Sequence, residues 1–156
     1  MKRSNTLTTR LAVAIAAGTS LGASADDVAP RGPLLPLYVQ ECGSCHVAFA
    51  PGLLPAQSWQ RIIGRLHQHF GINASVDDAS AKTLLAWLDA NAATSRKMRE
   101  VPPQDRITRA DWFVREHREV PSDAWKLPTV RSPANCEACH PQAAHGNFRE
   151  PVRIPQ

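Results

Sequence analysis

Every cysteine in this 156-residue chain lies in one of two matching motifs, Cys42-Gly43-Ser44-Cys45-His46 and Cys136-Glu137-Ala138-Cys139-His140. C-x-x-C-H is the attachment pattern of c-type haem. Two thiols three residues apart on a helical turn reach the two vinyl groups on one edge of a porphyrin. The histidine that follows then meets the iron as an axial ligand. Cys42, Cys45, Cys136 and Cys139 are therefore candidate attachment points for two covalently held haem c groups, with His46 and His140 as candidate proximal ligands.

Other chemistries explain the pattern less well. Two disulfides would suit an exported chain but leave the histidine after each second cysteine without a reason. A Cys₄ zinc site spaces its C-x-x-C pairs about 15–20 residues apart, whereas Cys45 and Cys136 are about ninety residues apart. A cytoplasmic thioredoxin-type pair needs a βαβ pattern, and the chain has none.

The far side of each iron decides what a haem does: a filled sixth position favours electron transfer, an open one favours binding or chemistry. Met98 is the one methionine beyond Met1. It sits among charges in Arg96-Lys97-Met98-Arg99-Glu100 and reads as an exposed linker residue. Histidine is the better supply, with His67, His69, His117 and His145 remaining. His67 and His69 flank the same apolar stripe about equally, so periodicity does not choose between them. His117 falls on the apolar side of a short helix. His145, five residues past His140, is too close in sequence to wrap readily to the opposite face of the same haem, though it could reach the other one.

The elements that must place these groups are mostly helical. Leu37 to His46 reads as a short helix or helical turn entering the first motif. Trp59, Ile62, Ile63, Leu66 and Phe70 recur at helical spacing, so a helix is expected over 57–70, with Ser58 as N-cap and Gly71 as its stop. Ser75 to Asp78 has capping-box spacing and opens a second helix with the stripe Ala81, Leu84, Leu85, Leu88 and Ala92. Residues 94–105, with Pro102-Pro103, read as a boundary. Thr108 to Asp111 begins a short helix expected to run to Glu119. All 13 prolines lie beyond residue 25 and rule out long regular structure around them. A short, proline-rich chain builds a weak apolar core and usually needs a metal, cofactor or staple. Trp59, Phe70, Trp87, Trp112, Phe113 and Trp125 are candidates for lining haem pockets.

Residues 1–25 fit a secretory signal: Lys2, Arg3 and Arg10, an apolar stretch from Leu11 to Leu21, and Ala23-Ser24-Ala25 as the cleavage site. The formal charge of +4 then falls to +1 for residues 26–156, since three cations leave with the leader. A nucleic-acid reading loses its support, because such binding rests on many Lys and Arg contacts to phosphate. A soluble periplasmic protein without membrane insertion after cleavage is expected.

Read in order, these residues resemble the bacterial dihaem cytochrome c family over about 37–155. The resemblance is carried by Glu41 through His46, Pro51-Gly-Leu-Leu-Pro55, Ser58-Trp59, His69-Phe70-Gly71, Asn91-Ala92-Ala93, Arg106-Ile107-Thr108, Trp112-Phe113 with His117, Asn135 through His140, Gly146-Asn-Phe148 and Arg153-Ile-Pro155. It implies a mostly α fold with much coil: a small N-terminal domain like a monohaem cytochrome c (26–98) and a sparser C-terminal haem-binding domain (99–156). It also implies bis-histidine, low-spin haems, with His69 as far-side ligand of the first and His117 of the second. The expected function is electron transfer without bond-making chemistry at iron. A dihaem enzyme of peroxidase type, or a gas-binding sensor with one open haem, is the alternative. The partners that the resemblance implies are other redox proteins, among them a small oxygen-binding high-spin cytochrome c and a membrane cytochrome b.

Overall fold

The computed structural model describes residues 33–149 and 152–155. The expected leader and its cleavage after Ala25 lie outside them. Four α-helices are joined by coil and short 3₁₀ turns: α1 (Pro36–Cys42), α2 (Ala56–Ile63), α3 (Asp78–Asn91) and α4 (Asp111–Glu116). No β-strand occurs among the described residues; one isolated bridge pairs His69 with Ile72. The expected fold class, mostly helical with much coil, is what the chain adopts. No described helix is long and apolar enough to cross a membrane.

Proline opens α1, where its missing N–H and fixed φ suit the first helical position. The helix delivers Cys42 and stops at Gly43, whose N–H bonds to the Val39 carbonyl at 2.9 Å. A Cβ on Gly43 would run into that same carbonyl oxygen, so glycine is required for the first cysteine loop to leave the helix this way.

The helix expected over 57–70 is half that long. It begins after Pro55, which takes the N-cap position, and ends at Ile63 with Gly64 as C-cap. Ser58 is completely buried inside it and does not cap. A 3₁₀ turn over Leu66–Gln68 follows, and Phe70 and Gly71 take left-handed φ values of 50° and 107°. Gly71 tolerates this; Phe70 does so against its own preference. The break swings His69 off the helical path.

Helix α3 matches its expected stripe, with Leu84 and Leu88 fully buried. Its cap is Asp77, not Ser75. The Asp77 carboxylate accepts from the Ser80 N–H at 3.0 Å and from the Ser80 hydroxyl at 2.6 Å. Helix α4 also ends earlier than expected, at Glu116. His117 turns out of it with its N–H on the Phe113 carbonyl at 3.1 Å. Thr108 lies in a 3₁₀ turn (Ile107–Arg109) and does not cap α4.

Two apolar clusters form the core. One gathers Tyr38, Ala48, Leu54, Trp59, Leu84 and Leu88; the other gathers Ala50, Leu53, Ala110, Trp112 and Phe113. Phe49 and Ile107 pack against both. The loop between α1 and α2 is pegged by three hydrogen bonds: Tyr38 Oη to the Phe49 carbonyl (2.7 Å), Trp59 Nε1 to the Pro51 carbonyl (2.8 Å), and the Ala93 N–H to the Leu54 carbonyl (2.9 Å). The proline-bearing stretch is tied down as well. Its Asp105 receives two bonds from Arg61 of α2, at 2.9 and 2.5 Å, while Gln104 and Asp105 both take left-handed φ.

Candidate haem-binding sites

The first cysteine loop opens onto a cavity of about 340 Å³ lined mainly by apolar side chains of α1, α2, α3 and the 66–76 loop. Cys42, Cys45, His46 and His69 all line it. The His46 ring stacks on Phe49 at 4.7 Å, and its Nδ1 lies 2.7 Å from the Val47 carbonyl. That bond occupies one ring nitrogen and leaves Nε2 for a metal, the usual outer arrangement of a ligating histidine. The His69 ring centre is 6.2 Å from that of His46, with the two planes 22° apart.

That spacing has a direct reading. Imidazole–metal bonds run to about 2.0–2.1 Å, as for zinc, and each ring centre lies roughly 1 Å behind its nitrogen, so an ion held between two imidazoles separates their centres by about 6 Å. Burial lowers the pKa of His69, and His46 and Arg106 push it the same way. It is thus held neutral, the form in which imidazole ligates.

The second loop opens onto a cavity of about 350 Å³ that Cys136, Cys139, His140 and His117 line together with Trp112, Phe113, Trp125 and Phe148. His117 stacks on Phe113 at 4.0 Å, and its Nδ1 lies 2.8 Å from the Phe113 carbonyl. Its ring centre is 6.1 Å from that of His140, with the planes 79° apart. Phe148 meets the edge of His140 at 5.7 Å. The chain end returns here: the Arg153 N–H donates to the Cys139 carbonyl at 2.8 Å, and Val152 and Ile154 join the cavity wall.

No disulfide joins any of the four cysteines. Burial pushes Cys42 up to about 11, with Glu41 adding to the shift, and burial pushes Cys136 up to about 11 as well. Cys139 is raised for the same reason. Two apolar cavities, each with two thiols and two imidazoles at metal-spanning separation, fit a haem c group apiece.

Other expectations fall differently. His67 and His145 are exposed and line neither cavity. Met98 is half-buried, not exposed: it packs beside Trp112 and Phe113 and lines the second cavity. Trp87 lines neither cavity and instead packs on Tyr38, with ring centres 5.0 Å apart. Trp59 and Phe70 line the first cavity, and Trp112, Phe113 and Trp125 the second. Tyr38 and Phe49 line the first cavity without having been singled out; Arg106, named above only within the family pattern, lines it too, and Ile107 and Cys136 line both. Lone apolar or charged residues outside a periodic stripe carry no signal of such a role.

A family model described as dihaem cytochrome c matches residues 38–148. No curated protein sequence matches the chain. Among solved structures, a dihaem cytochrome c purified from Rhodobacter sphaeroides is 41% identical, with a TM-score of 0.64, over 74% of this chain and 98% of that one. A second structure of the diheme cytochrome c from Rhodobacter sphaeroides is 38% identical, with a TM-score of 0.66, over 74% and 97%. A diheme cytochrome c from Shewanella baltica is 36% identical, with a TM-score of 0.69, over 80% and 95%. With both of its cysteine–histidine loops inside the matched stretch, this chain belongs to the dihaem cytochrome c family and carries two covalently bound haem c groups.

Proposed function

We propose that the protein is an exported, periplasmic electron carrier whose two haems are both low-spin and bis-histidine ligated. Cys42 and Cys45 hold the first haem between His46 and His69; Cys136 and Cys139 hold the second between His140 and His117. The observation that carries this reading is the pair of imidazole separations, 6.2 and 6.1 Å, one across each cavity. The haem groups supply a one-electron ferric/ferrous couple. The chain's own residues would offer two imidazoles to each haem, so that an electron could enter or leave with little rearrangement. Phe49 and Phe113 hold the rings by stacking; the Val47 and Phe113 carbonyls fix which nitrogen faces inward. Imidazole at the sixth position in place of thioether favours the ferric state, since Met/His ligation is the pairing that raises the potential. Low potentials are expected at both sites.

The physiological partners in this reading are a small oxygen-binding high-spin cytochrome c, which would receive the electrons, and an associated membrane cytochrome b, a pairing supported by family resemblance alone. Encounters of this kind are small, transient and salt-sensitive. Visible spectroscopy tests the ligation: the reduced protein should show low-spin bands and leave carbon monoxide unbound. Rapid carbon monoxide binding at either site would contradict the filled-coordination reading and favour the gas-binding alternative.

A further inference from the structure

Arg106 is half-buried and lines the first cavity. Its guanidinium lies 4.3 Å from the centre of the Phe70 ring, and Phe70 in turn packs against His69 at 4.8 Å. The adjacent carboxylate, Asp105, also lines this cavity but is engaged by both nitrogens of the Arg61 fork. Among the described residues no carboxylate pairs with Arg106.

The backbone is bent to place it there. Gln104 and Asp105 take successive left-handed φ values of 58° and 56°, a conformation that persists only where surrounding contacts impose it. The Arg61–Asp105 clasp and a bond from Arg109 to Gln104 are those contacts. The strained turn thus delivers a cation, stacked on an aromatic ring, to the wall of an apolar cavity. A guanidinium partly withdrawn from water and lacking an anion calls for a carboxylate in its fork.

Haem c brings two propionate carboxylates. We propose that Arg106 receives a propionate of the first haem and thereby holds that site toward the ferrous state; the proposal rests on the reading that His46 and His69 bracket the first haem. A fixed positive charge disfavours the more positive ferric centre, and it cancels a propionate charge that would otherwise favour it. Arg61 and Asp105 are positioning residues in this scheme. They set the turn and do not touch the haem.

Potentiometric titration of the isolated holoprotein tests this, with His69→Ala identifying which of the two redox waves belongs to the first site. In Arg106→Gln that wave should move down by about 59 mV, a roughly tenfold rise in the ferric-to-ferrous ratio at fixed potential. The other wave should hold still, Arg106→Lys should stay near the wild type, and the low-spin spectrum should persist in both variants. Unmoved potentials in Arg106→Gln would overturn the proposal, as would equal shifts of both waves or a fall in Arg106→Lys as large as in Arg106→Gln. Unchanged potentials combined with an altered salt dependence of reduction by another protein would assign the carboxylate to that partner, and would overturn it too. A wild-type protein that is high-spin at the first iron contradicts the bis-histidine reading itself, whatever Arg106 does.

Discussion

At the scale of single residues, the two sites are built to different standards. His117 is held by a carbonyl on its Nδ1, by a stacked Phe113 and by Trp125 at 5.9 Å. His69 has ring contacts with Phe70 and His46 but, among the described residues, no such carbonyl, and it is followed by two residues with left-handed φ. His69→Ala should therefore convert one haem of the two to a high-spin form that binds carbon monoxide, visible in the absorption spectrum, while His67→Ala leaves the spectrum unchanged. Equal effects of both substitutions would remove the case for His69. Of these groups, the sequence makes legible everything written as a motif: the four thiols and the two adjacent histidines. The choice between His67 and His69 was not legible from periodicity, because both flank the same stripe and the helix carrying them was expected to continue to residue 70. It ends at Ile63, capped by Gly64, and the left-handed Phe70 further on keeps the chain from resuming the helix.

At the scale of elements, short helices are positioned by what they are tied to. Helix propensity contributes little at seven or eight residues. Helix α3 was legible because it is long, with a 3.6-residue apolar stripe; α2 and α4 were overextended because the stripe continues into residues that leave the helix to line a cavity. The Arg61–Asp105 clasp joins α2 to the strained turn. It was invisible in sequence, since the partners are 44 residues apart. Arg61 holds the Asp105 carboxyl below the usual carboxylate range. Because the folded value lies below the unfolded one, the clasp contributes its full stability above about pH 4 and loses it as pH falls through the lowered value. Asp105→Asn should cost about 1 kcal/mol at neutral pH and flatten the acid limb of the stability curve. Thermal melts of the holoprotein at pH 7 and pH 3 measure both effects; a wild-type-like loss on acidification in the variant would assign the acid sensitivity elsewhere.

At the scale of the whole molecule, the polypeptide builds two apolar clusters that meet at Phe49 and Ile107, and each cavity is walled by one of them. The cofactors complete the core, so loading and folding should be coupled. Replacing Cys136 and Cys139 together by Ser should leave one haem per chain by pyridine haemochrome assay and lower the melting temperature; two haems retained would contradict attachment at that loop. The two sites also differ in one respect that the whole molecule reports at once. The imidazole planes are 22° apart across the first cavity and 79° apart across the second, and near-parallel and near-perpendicular ligand planes split the ferric orbitals differently. Electron paramagnetic resonance of the fully oxidised holoprotein reads ligation and plane angle together. Two low-spin ferric signals of equal weight are expected, one rhombic from the first site and one strongly anisotropic from the second. A high-spin ferric signal accounting for one haem per chain would contradict the central claim that His69 and His117 fill the sixth position of both irons.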